Sequence, residues 1–122
     1  MGRRRTRAAG GTAGVLAALA LVLAAGCARG GSAAPVAATR VEMPPSYRFE
    51  PAVITVRAGS TVTWHNADNF THSVAVLGGG FPFLNLRPGQ SARLTFSRPG
   101  VYDYVCTYHA QDMKGRVIVT GP

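Results

Sequence analysis

Cys106, His109 and Met113 fall within eight residues near the C-terminus of a 122-residue chain, and His72 precedes the cysteine by 34 residues. One thiolate, two imidazoles and a weak thioether are together the donor set of a trigonal copper site with a long axial contact, a centre that exchanges single electrons. Taken singly, each residue is ordinary: a buried cysteine behaves as a small hydrophobe, and a methionine fills gaps in a core. The combination Cys-x2-His-x3-Met, closing a Tyr-x-Tyr-x-Cys run, carries the signal. Two other chemistries compete for it. Structural zinc takes Cys and His without a thioether, and its familiar fingers bring paired cysteines. A thiol hydrolase with Cys106 as nucleophile and His109 as base has no residue evidently placed to orient the imidazole, and it leaves His72 and Met113 idle.

Such a centre needs rigid elements to hold it, and the hydrophobic pattern supplies strands. Ile54 and Val56, Val62 and Trp64, Val74 and Val76, and Leu94 and Phe96 each alternate with small or polar residues. That period of two marks half-buried strands. Between them stand turn signals: Ala58-Gly59, Gly78-Gly79-Gly80, Pro88-Gly89 and Pro99-Gly100. A Pro-Gly pair suits the two central positions of a type II turn. Short strands at this spacing predict an all-β fold, a Greek-key β-sandwich of about seven or eight strands. Tyr102, Tyr104 and Cys106 share one face of the strand that leads to the cysteine, and Asp103 on the other face makes the tyrosine face the inward one. The ligands Cys106, His109 and Met113 then sit on one tight loop before a return strand over 114–120. His65 alternates with inward Trp64 and is expected to face solvent.

The first residues stand apart from this pattern. Residues 1–26 form a secretory leader, with four arginines before the unbroken apolar run Val15 to Ala25. Its end, Leu23-Ala24-Ala25-Gly26-Cys27, resembles a bacterial lipobox, in which Cys27 becomes the lipidated first residue of the mature chain. Ala24 stands where leucine is most usual, and an ordinary cleavage site beside an incidental cysteine is the alternative. A two-chain lipid provides stable anchoring to the outer face of the cytoplasmic membrane. Arg3-Arg4-Arg5 leaves twin-arginine and general secretory export both open. Residues 27–40, rich in Gly, Ala and Ser, predict a flexible tether. The folded domain is then 41–122.

Charge and cysteine count narrow the function. Four of the thirteen basic residues leave with the leader, so nine face five acidic residues and the net charge falls from +8 to +4. No Lys/Arg stripe is present, which argues against nucleic acid as a partner and leaves a mild bias toward acidic partners or anionic surfaces. With Cys27 lipidated, Cys106 is an unpaired thiol in an oxidising compartment, a liability unless a metal occupies it. A Cys27–Cys106 disulfide would tie a flexible segment to the core and is the less favoured pairing.

Residues 47–119 resemble a small cupredoxin of the plastocyanin, amicyanin and pseudoazurin type. The matching pieces are Phe49-Glu50-Pro51, Gly59 to Trp64, Asn66-Ala67-Asp68, His72-Ser73-Val74, Leu86 to Gly89, Pro99 to Cys106 and the ligand loop, in the family's order. The resemblance implies a monomer binding one copper ion through His72, Cys106, His109 and Met113. It implies one-electron carriage between exported redox partners and no enzymatic activity, since no coordination position is obviously left open. Delivery of copper to another exported protein is the alternative with the same ligands. Asn66 matches the asparagine that braces the two ligand-bearing loops, or else it is a turn residue. Phe81, Pro82 and Phe83 either join an apolar patch around the edge of His109, where partners of such proteins dock, or are ordinary core aromatics.

Overall fold

The computed structural model describes Gly2, Gly10, Gly11 and residues 33–122. Cys27 and, apart from those three glycines, the leader lie outside the described residues. Nine strands follow in order: β1 Val36–Ala37, β2 Arg40–Met43, β3 Val53–Arg57, β4 Ser60–Asn66, β5 His72–Val76, β6 Leu84–Leu86, β7 Ser91–Phe96, β8 Gly100–Val105 and β9 Lys114–Thr120. They form two sheets, one in the order β1-β3-β9-β8-β5-β6 and one in the order β2-β4-β7. The all-β sandwich expected from period two is therefore present, with a single-turn 3₁₀ helix at Thr107–His109. Strand pairing is already present on the N-terminal side of the expected boundary at residue 41. Val36–Ala37 pairs in parallel with Ile54–Thr55, and Arg40 opens β2 by pairing with Thr63. Two-residue pairings are too short to leave a periodic trace, so composition alone assigned 36–40 to the tether.

The inward faces are those the alternation predicts. Ile54, Val62, Trp64, Val74, Phe96, Tyr104 and Val117 are all buried. Apolar burial of this kind contributes ~1.5–3 kcal/mol for each large side chain. Tyr104 is the hub: its ring stands 4.7 Å from Phe49 and 5.3 Å from Trp64, edge-on to both. Burial pushes its hydroxyl well above the ordinary tyrosine range, so the group stays neutral. Gly115 lies opposite Tyr104 in the β8–β9 ladder, and a Cβ there would overlap the tyrosine ring. This is a steric demand for glycine that no turn signal announces.

The two Pro-Gly pairs behave differently. Arg87 to Gln90 is the expected type II turn, with Gly89 at φ 81° and the Gln90 N–H donating to the Arg87 carbonyl at 3.0 Å. Gly100 instead opens β8 opposite Val119, with φ 155°, so Pro99-Gly100 precedes a strand rather than forming the centre of a type II turn. Ladder pairing with β9 holds it extended. Phe81 also departs from the docking-patch reading. It packs 4.9 Å from Phe96 and 5.4 Å from Tyr102, near the start of β8 and several residues from Cys106.

Candidate metal centre

β8 delivers Cys106 to the interior, and the chain then closes a small loop on itself. The Cys106 N–H donates to the Met113 carbonyl at 3.0 Å, the His109 N–H to the Cys106 carbonyl at 3.1 Å, and the Met113 N–H to the His109 carbonyl at 2.9 Å. These bonds fold eight residues into a ring whose two ends are tied together where β8 hands over to β9. Cys106 and Met113 are fully buried, whereas His109 is half-buried at the tip. Cys106 is a free thiol.

β5 brings the other ligand candidate from the neighbouring strand. The Nδ1 of His72 lies 3.7 Å from the Sγ of Cys106, and both residues are sealed from solvent. Two donors about 2.0 and 2.3 Å from one first-row divalent ion, about 120° apart, would be ~3.7 Å from each other. The pair is therefore spaced to share an ion. The His109 ring centroid lies 5.7 Å from that of His72, with the planes inclined by 64°. Among the described residues no three His, Cys, Asp or Glu side chains are already gathered at ligand distance. His72 and Cys106 are brought together, and His109 stands beside them.

Two donors face the sulfur. The Ser73 N–H points at the Cys106 sulfur at 3.3 Å, and the Ser73 hydroxyl lies 3.8 Å from it. Contacts of this kind orient a metal-ligand candidate. The same hydroxyl accepts the Thr107 N–H at 2.7 Å and shares a proton with the Thr107 hydroxyl at 2.9 Å. Ser73 thus ties the His72 strand to the Cys106 loop. No sequence signal marked it, because period two places a residue next to inward His72 on the outer face. In the structure His72, Ser73 and Val74 are all buried, since β5 is covered on both sides at this end.

Asp68 fixes the His72 ring. Its carboxylate accepts from His72 Nε2 at 2.9 Å and from the Asn69 N–H at 2.7 Å. The hydrogen bond from His72, above all, holds the Asp68 carboxyl below its ordinary value, against the opposing effect of burial. An ionised carboxylate only accepts, so Nε2 donates to it, and Nδ1 is the ring nitrogen that faces Cys106. The four-residue spacing of Asp68 and His72 was legible, yet the aspartate read as part of a turn.

Asn66 is fully buried and braces one loop rather than two. Its side-chain amide donates to the carbonyls of Phe70 at 2.7 Å and Leu86 at 2.9 Å, and its Oδ1 accepts from the Asp68 N–H at 2.9 Å. All three bonds shape the approach to His72, and the link to the Cys106 loop belongs to Ser73. His65 faces away from the core and bonds Glu42 across β2 and β4 at 2.6 Å. It takes no part in the centre.

The family model for the cupredoxin-like domain matches residues 15–119. The chain belongs to that family. It is 36% identical over 104 residues to amicyanin-alpha of Methylorubrum extorquens, covering 80% of this chain and 84% of that one. An amicyanin variant solved with Cu(I) superposes with a TM-score of 0.59 at 32% identity, over 66% of this chain and 80% of that one. The copper-containing nitrite reductase of Thermus scotoductus matches with a TM-score of 0.60 at 31% identity, over 73% of this chain and 23% of the reductase. The same cupredoxin unit therefore also occurs as one part of a larger enzyme.

Proposed function

We propose that this cupredoxin holds one copper ion through His72, Cys106 and His109, with Met113 as the weak axial donor, and carries single electrons between larger redox proteins. The observation that carries this reading is the buried, unpaired Cys106 with the Nδ1 of His72 3.7 Å from its sulfur. Bound there, copper supplies a one-electron couple in a geometry acceptable to both of its oxidation states. The chain's own residues do the rest. The Ser73 N–H stabilises the thiolate, Asp68 keeps the His72 lone pair pointed inward, and the buried sulfur and thioether exclude water. The loop from Cys106 to Met113 is cross-tied by its own backbone, so its donors hold their places as charge changes.

The exposed Tyr47 ring lies against His109, with exposed Phe70 beside Tyr47 and exposed Tyr108 next to His109 in the chain, and the half-buried imidazole offers a way for an electron to reach a partner. Arg87 follows Leu86, which pairs with His72, and Lys114 follows Met113. Both are exposed and make no ion pair among the described residues, which supports acidic partners. The arginine-led leader and Cys27 support export with a lipid anchor. The centre is tested by adding Cu(II) to the purified protein and recording visible and electron-paramagnetic-resonance spectra. An intense sulfur-to-copper charge-transfer band with narrow hyperfine splitting is expected, and Cys106→Ser should abolish both. A colourless, weakly bound adduct in the wild-type protein overturns the assignment.

A further inference from the structure

His72 and His109 are held in different ways. A metal-ligating histidine ordinarily donates its second ring N–H to a carboxylate, a carbonyl or water, which fixes the ring's orientation. Of the three histidines, His65 bonds Glu42 and His72 bonds Asp68, whereas the His109 ring has no hydrogen-bond partner among the described residues. Its company is aromatic. The Tyr47 ring lies 4.2 Å from it, centroid to centroid, tilted by 51°. Tyr47 also stands edge-on to His72 at 6.1 Å and beside Phe70 at 5.9 Å.

The backbone at this point is unusual. The loop after β2 is closed at its base by two hydrogen bonds between Glu42 and Glu50, both 2.8 Å, and Phe49 anchors its return in the core. Between them Ser46 and Tyr47 take φ values of 90° and 53°. Positive φ is uncommon outside glycine and asparagine, and an outlier for a bulky residue. A tyrosine is out of place there on backbone grounds. Its ring, however, lands on the histidine ligand candidate whose ring has no hydrogen-bond partner among the described residues.

Resting on the copper reading above, we propose that Tyr47 is the positioning residue of His109: its ring packs on the imidazole and keeps that ligand turned toward Cys106 and His72. The left-handed turn at 46–47 exists to bring the ring there. Tyr47 does for His109 by ring contact what Asp68 does for His72 by a charged hydrogen bond.

The test compares wild type with Tyr47→Asn and Tyr47→Phe, all as copper-loaded full-length protein. After reduction, copper release to a Cu(I) chelator is followed by stopped flow, and the metal-free forms are unfolded in urea. Asparagine accepts positive φ and so offsets the ring contacts it removes, which are present without metal, and metal-free Tyr47→Asn should stay close to wild type in stability. Its copper should leave about tenfold faster, a change of about 1.4 kcal/mol and near the upper end of what an aromatic pair contributes. Phenylalanine keeps the ring and should release copper within about twofold of wild type. Release from Tyr47→Asn at the wild-type rate overturns the proposal. So does a Phe variant as leaky as the Asn variant, or faster release matched by an equal loss of stability in the metal-free protein. If wild type forms no blue centre at all, the copper assignment fails instead, and the two failures are told apart by colour.

Discussion

Ser73→Ala isolates the tie between the two ligand-bearing strands. Ser73 is fully buried, and its hydroxyl makes two short bonds to Thr107, at 2.7 Å to the backbone N–H and 2.9 Å to the side chain. A hydrogen bond contributes a net ~0.5–1.5 kcal/mol, and a donor left without a partner in a buried place costs ~1–3 kcal/mol. Thr107 is itself exposed, so water can replace the hydroxyl as partner to its side chain but less readily to its N–H. The expected loss is therefore about 1–2 kcal/mol. For a small domain with a urea slope of about 1 kcal/mol/M, the midpoint should fall by about 1–2 M. The Ser73 N–H to the Cys106 sulfur survives the substitution, so the copper band should shift rather than vanish. Urea unfolding of the metal-free protein gives the stability. A double-mutant cycle with Thr107→Val gives the hydroxyl–hydroxyl coupling, expected at about 0.5–1 kcal/mol. A midpoint unchanged within error would show that Ser73 does not join the two elements, and a coupling of zero would show that the hydroxyl–hydroxyl bond adds nothing.

Three further outcomes follow from the same geometry. Gly115→Ala forces a Cβ into the Tyr104 ring and should cost about 2 kcal/mol or more, equally with and without metal, as read by thermal unfolding. Asp68→Ala frees the His72 ring and should weaken copper binding by about 10–100-fold in chelator competition, whereas Asp68→Asn, which still accepts from Nε2, should lose less. Burial pushes Glu42 upward, but hydrogen bonds from His65 and Arg40 outweigh it and leave its carboxyl below the ordinary 4.5. Folding is thus supported by this carboxylate above that value, and the support is lost as pH falls through the lower folded value. Between pH 5 and pH 3, Glu42→Gln should flatten the fall of the denaturation midpoint relative to wild type. A parallel fall in both proteins would show that Glu42 contributes nothing.

The residue types and spacing of Cys106, His109 and Met113, with a histidine upstream, were enough to name a donor set and a metal. Metal preference follows from donor chemistry, and chemistry is local. Period-two alternation was enough to place Trp64, Tyr104 and Cys106 inward, because side-chain direction along a strand repeats every two residues whatever the strand packs against. What alternation could not show is burial on the second face. For that reason Ser73 went unnoticed until β5 proved to be covered on both sides. Hydrogen-bond partners distant along the chain were equally hidden. Asn66 was expected to reach toward the cysteine loop, yet it bonds Phe70 and Leu86, because the course of the 66–72 loop decides which carbonyls lie within reach. The short pairings of residues 36–37 and 40 exist only because β3 and β4 offer free edges. Tyr47 lies in an irregular turn with no period to read, and only the folded chain carries its ring to His109. The sequence thus determined which donor types are present and at what spacing, while the tertiary structure decided which neighbours surround them.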